Sequence, residues 1–220
     1  LTSLEVWRKL LTSRSWGVES GSGGDAVLEI LLFERDLADD AMKARNMMKK
    51  RKSINKELLG FLQRFYELGA RGVKIISPST VVTGDWVRWK CQFGCGGYGS
   101  SLMCPPYTPK PEETRKMLNG YKKAILFESG SVNTKEIAAQ MEREIFLSGY
   151  YKALGLGAGP CRLCRTCSFK DGCRHPDEAR PSMEACGIDV FATARKHGFT
   201  INVVRNYQDP QYYFGLVLVK

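Results

Sequence analysis

"SINKELLGFLQRFYELGARGVKIIS", residues 53–77, carries two periodicities in succession. Ile54, Leu58, Phe61, Leu62, Phe65 and Leu68 recur at helical spacing, which lines one face of a 3.6-residue helix with apolar side chains. Ser53 stands where an N-cap is expected, and Gly69 where the helix should stop. "GVKIIS" (72–77) then reads as a short buried strand. The same alternation continues downstream. "DWVRWK" (85–90) reads as a second strand running into Cys91. Pro111, Glu112 and Glu113 open a helix through Leu118, with Pro in the first turn and acids at its positive end. "KKAILFES" (122–129) is a third strand, 133–154 a long helix, and 181–197 another helix. "TINVVRN" (200–206) and "YYFGLVLVK" (212–220) are the last strands. Strands alternating with helices predict an α/β (or α+β) fold in which helices cover a mixed sheet.

Upstream of Ser53 the composition changes. "ESGSGGD" (19–25) is a Gly/Ser-rich breaker, "AVLEILLF" (26–33) is short and apolar, and "KARNMMKKRK" (43–52) is strongly basic. Residues 1–52 are therefore expected to be an N-terminal extension, and 53–220 a cysteine-rich metal-binding domain. The chain has 220 residues and a net charge of +10. That balance suits an acidic partner, and the basic run reads first as a solvated helix face or tether. No helix-turn-helix pattern, RNA-recognition signature or finger spacing accompanies it, which argues against nucleic acid. No stretch is apolar for long enough to span a membrane. The N-terminus lacks a signal-peptide pattern, and without an initiator Met it reads as processed or trimmed. A cytoplasmic location is the expectation, where thiols stay reduced.

Eight cysteines in a reducing compartment point to metal rather than disulfides. "GPCRLCRTCSFKDGCRHP" (159–176) holds Cys161, Cys164, Cys167 and Cys173. Zinc sites usually use two separated Cys-x2–4-Cys knuckles. A C-x2-C-x2-C run is instead the bacterial-ferredoxin habit for a [4Fe–4S] cluster. The fourth cysteine of that habit follows after three residues and precedes Pro; here five residues intervene, so Cys173 completes either this cluster or a neighbouring one. No C-x-x-C-H is present for haem attachment. A second group, Cys91, Cys95 and Cys104, lies in the glycine-rich "KCQFGCGGYGSSLMCPP" (90–106). Cys186, in "PSMEACGIDV", is the last of the eight. Two sets of four follow, one or two iron–sulfur clusters per chain, with Cys173 or Cys186 closing each set. The competing reading of Cys186 is a plain buried thiol. Trp86 and Trp89 read as core packing, with shielding of a cluster as the alternative. His175 reads as a loop residue able to donate to cluster sulfur, and His197 as a partner of a helix C-terminus.

"CQFGC…SLMCPPYTPKPEET" followed by "AGPCRLCRTC…GCRHPDEARPSMEACGIDV" resembles an uncharacterised family of predicted metal-binding proteins, domain of unknown function 2284, typical of anaerobic archaea and bacteria. The resemblance runs from about Ser53 to the C-terminus. It implies metal, iron–sulfur in particular, and an anaerobic cytoplasm, and it places Cys91, Cys95, Cys104, Cys161, Cys164, Cys167 and Cys173 at motif positions. It implies no reaction.

The leading expectation is an iron–sulfur protein passing electrons to or from a partner. A first alternative is an enzyme in which one cluster keeps an iron open for a small-molecule substrate, with Glu184 or Tyr107 supplying proton chemistry. A second is a zinc-stabilised module for nucleic acid.

Overall fold

In the computed structural model, which describes residues 56–130, 133–206 and 208–220 together with Asp39, Met42, Lys43, Arg45, Asn46 and Met48, four strands make one sheet. They are β1 (Ala70–Ile76), β2 (Ala124–Ser129), β3 (Leu154–Leu156) and β4 (Tyr213–Leu218), in the spatial order β1-β2-β4-β3. Five helices flank them: α1 (56–67), α2 (Asp85–Gly94), α3 (Pro111–Asn119), α4 (Thr134–Leu147) and α5 (Val190–Lys196). Ser53, Ile54, the stretches at 19–25 and 26–33 and most of the basic run lie outside the described residues. The fold is of the expected mixed α/β class. Every ladder in the sheet is antiparallel, which makes it the α+β form of that class.

The apolar runs of β2 and β4 fix this arrangement. Ile125 faces Val217 across the ladder, and Phe127 faces Gly215. Because successive side chains point to opposite faces, Leu126, Phe214, Leu216 and Leu218 fall into one core with Leu118 of α3 and Ala194 of α5. Ile125, Phe127 and Val217 fall into the other, with Leu58 and Phe65 of α1 and Ile137, Met141 and Ile145 of α4. Phe65 and Phe127 stack with ring centroids 4.9 Å apart. Both faces are covered, so the central strands read as continuous apolar segments rather than as alternating ones. Full burial of a side chain such as Phe127 contributes about 1.5–3 kcal/mol.

Four expected elements differ. "DWVRWK" lies in helix α2, not in a strand. Val87 is its buried residue, Arg88 reaches inward and Cys91 is half-buried one turn on. Trp86, Trp89 and Phe93 face outward and are exposed, so the tryptophans do not pack in the core. The helix expected over 133–154 ends at Leu147, where the Ser148 N–H and hydroxyl both donate to the Glu144 carbonyl; the chain then turns and enters β3. The helix expected over 181–197 is broken. A 3-10 turn at Glu184–Cys186 ends at Gly187 (φ 72°), and α5 restarts behind Asp189, whose carboxylate accepts from the Ala192 N–H at 2.9 Å. Gly187 is required there because a Cβ would meet Pro111 Cγ at 2.5 Å in a left-handed backbone. "TINVVRN" forms no strand: Ile201 is buried but Val203 and Val204 are exposed.

Candidate metal centre

Two irregular segments leave this scaffold carrying cysteines. Residues 95–110 connect α2 to α3, and residues 158–181 connect β3 to the 3-10 turn; neither contains helix or strand. Each is tied down by polar side chains of the framework. Arg180 forms two hydrogen bonds to the Glu142 carboxylate of α4, at 2.6 and 2.9 Å, and closes the end of the later loop. The Arg88 Nη1–H group donates to the Ala185 carbonyl at 2.8 Å and to Thr108 Oγ1 at 2.8 Å. It thereby joins α2, the earlier loop and the 3-10 turn. Thr108 Oγ1 also donates to the Ala185 carbonyl (2.6 Å), and Thr114 Oγ1 to the Cys186 carbonyl (2.7 Å).

The later loop wraps a cavity of about 270 Å³. Cys161, Cys164, Cys167 and Cys173 all line it, as do Ser101, Leu102 and His175. The Leu102 N–H group points at Cys167 Sγ, 3.4 Å away, so the earlier loop supplies a donor to a sulfur of the later one. Ser101 Oγ is buried without a partner on the same wall. Arg162, Arg165 and Arg174 complete the lining with positive charge. His175 lies 3.9 Å from the Glu178 carboxylate.

The earlier group is organised around α2 and the glycine-rich turn. A Cβ on Gly97 would lie 3.5 Å from Cys95 Sγ, 3.8 Å from Cys104 Sγ and 3.3 Å from Pro160, so the turn brings two sulfurs to one place beside the later loop. The Gly97 N–H group points at Cys95 Sγ, 3.4 Å away. Cys104 is buried, Cys91 half-buried and Cys95 exposed. Burial pushes the Cys91 thiol up, reinforced by the charges of Cys95 and Glu184, while Arg88 pulls it down. Cys186 lies inside the apolar core with Met183, Ile188 and Leu118, and burial pushes its thiol up to about 12, with Arg88 and Lys135 pulling it down and Glu184 adding to the rise.

Lys135 and Glu184 give the region a feature that spacing alone did not reveal. Lys135 Nζ and Glu184 Oε2 are shut off from solvent and have no hydrogen-bond partner. Burial lowers the pKa of Lys135 against the opposing charges of Cys161, Cys104 and Glu184. Burial raises that of Glu184, against hydrogen bonds from its own backbone and Ser182 and the charge of Lys135. Buried polar atoms are nearly always satisfied, and leaving one unsatisfied costs about 1–3 kcal/mol. Nothing in the sequence marks Lys135, which stands in the first turn of an ordinary amphipathic helix. Glu184 was visible as a carboxylate near a motif, but not as a buried one.

These residues fit a metal or cluster. Thiolates select soft and borderline metals, backbone N–H groups approach two of the sulfurs, and the unpartnered Ser101 Oγ shares a wall with four thiols. Among the described residues, no three Cys, His, Asp or Glu side chains are drawn together tightly enough to clasp a single ion. Tyr107 lies outside the cysteine cavity, stacked on Phe169 with centroids 5.0 Å apart. His197 sits on α5's C-terminal side and bonds Thr80 Oγ1 at 2.8 Å. Among the described residues no helix is long and apolar enough to cross a membrane.

No curated protein and no solved structure matches the chain. A family model for predicted metal-binding proteins matches residues 74–219, which include both cysteine groups and Glu184. The chain belongs to that family, DUF2284.

Proposed function

We propose that this protein is an iron–sulfur electron carrier of a reducing compartment, with residues 53–220 as the cluster-bearing domain and 1–52 as an extension. Cys161, Cys164, Cys167 and Cys173 hold a [4Fe–4S] cluster, and the earlier group holds a second centre. One observation carries this reading: all four later cysteines line one cavity of about 270 Å³. A cluster gives each thiolate its own iron, so its ligands stand around a volume. A lone zinc ion draws four sulfurs to about 2.3 Å from one point. The Leu102 N–H aimed at Cys167 and the three arginines on the wall would offset cluster charge and raise its potential. With the chain's net charge of +10, the same arginines favour an acidic redox partner.

The test is anaerobic purification with iron, acid-labile sulfide and zinc counted per chain. Brown protein with iron and sulfide in similar amounts supports the reading. Colourless protein with stoichiometric zinc and no sulfide defeats it in favour of a zinc-stabilised module.

A second reading, an enzyme acting on a small molecule at a cluster, has one observation in its favour. A cleft of about 660 Å³ shares Cys161 with the cluster cavity and is walled by Ala139, Pro160, Leu163 and Tyr213. That volume and apolar lining suit a small-molecule site. A substrate-dependent change in the cluster spectrum would favour this reading over the carrier.

A further inference from the structure

Three sulfurs, Cys91, Cys95 and Cys104, leave a four-position centre one donor short. Spacing offers Cys173 and Cys186 as the completing ligand. The structure puts Cys173 on the wall of the later cavity with three other cysteines. It puts Cys186 inside the apolar core, with its carbonyl held by Thr114. Cys173 is committed to that cavity, and Cys186 to the core.

Glu184 is presented to the earlier group. Arg88 pins the carbonyl of Ala185, the next residue, to α2 one turn before Cys91. The 3-10 turn that carries Glu184 packs against α2, the helix that carries Cys91. Although the residue as a whole is half-buried, Oε2 is cut off from solvent and has no partner. Lys135 reaches the same region from α4. Its stem lies against Gly157, where a Cβ would meet Lys135 Cγ at 2.5 Å, and Gly157 bonds to Pro181 and Met183 on the approach to Glu184. Its Nζ is also buried and unpartnered. A buried carboxylate oxygen and a buried amine nitrogen, each without a hydrogen bond, are costly as they stand. A bound metal centre would employ both, the carboxylate as a donor to iron and the ammonium as a counter-charge to thiolates and sulfide.

We propose that Cys91, Cys95, Cys104 and Glu184 form one metal-binding set of three thiolates and a carboxylate, with Lys135 as its buried counter-cation and Cys186 as a core thiol. The proposal rests on the reading of this chain as a metal-cluster protein. An oxygen donor on one iron marks that iron as the position at which the second centre differs from the first.

The experiment reconstitutes full-length wild type, C95A, E184A, E184C and C186A anaerobically. It counts iron, zinc and sulfide per chain and records electron paramagnetic resonance spectra. C186A should match wild type. E184A should lose about one iron per chain and gain the signal of a three-iron centre, and E184C should restore the count with an altered spectrum. Full metal and an unchanged spectrum in E184A would overturn the proposal. So would loss of metal in folded C186A, a result readable even if E184A does not fold, or a C95A protein whose metal equals that of wild type. Zinc without sulfide in wild type would defeat the iron–sulfur reading alone. The ligand set would then be judged from zinc lost in E184A and kept in C186A.

Discussion

In the sheet, β2 exchanges backbone hydrogen bonds with β1 on one side and β4 on the other, and Ala124, Ile125, Leu126 and Phe127 are fully buried. In the cysteine loops, residues 95–110 and 158–181 have no ladder or helix. Their anchors are a few side chains, chiefly Arg88, Thr108 and Arg180. The first region holds itself by burial. The second is held at its ends by the first, and its middle carries thiols and one unpartnered hydroxyl, Ser101 Oγ, that a metal centre would complete. The scaffold and the site therefore answer to different forces, and they should respond differently to mutation and to metal removal.

The largest effect expected is on the scaffold. Phe127→Ala removes a fully buried ring between α1 and β4 and should cost about 3–5 kcal/mol. Denaturant titrations of metal-loaded and metal-free protein should show similar losses; a loss confined to the metal-loaded form would mean the sheet depends on the site. Next in size is metal removal itself. Under anaerobic chelation, amide hydrogen exchange should rise in 95–110 and 158–181, while β2 and β4 keep their protection. If the strands open together with the loops, the division between the two regions fails. The smallest effect should come from deleting the extension. A chain starting at Ser53 should keep its metal content and the exchange protection of its strands, since α1 and all four strands lie beyond that point. Insolubility or metal loss would place part of 1–52 in the fold.

The division also explains what could be read directly from residues. Helix α1 and the strands β1, β2 and β4 announce themselves through apolar periodicity, because burial alone decides them. "DWVRWK" misleads because Val87, Trp89 and Cys91 alternate as on one face of a strand, whereas in the helix the inward face is Val87, Arg88 and Cys91. The break at Gly187 was written in "ACGIDV" as a left-handed Gly followed two residues on by an Asp cap, but the surrounding apolar residues concealed it. The cysteine groups were legible by spacing. Their environment was not, since Lys135 comes from the opposite end of a helix–strand unit and only the fold brings its charge to bear on Cys104 and Cys161.

The central claim is that the later loop's four cysteines hold one cluster, and Cys164 tests it most directly. It is the middle ligand of the run and lines the cavity with the other three. Iron and sulfide should be counted in anaerobically prepared Cys164→Ser beside wild type. Loss of about four irons per chain, with the second centre's spectrum retained, is the predicted result. An unchanged iron count and spectrum would contradict the claim and show that the run is not the ligand set.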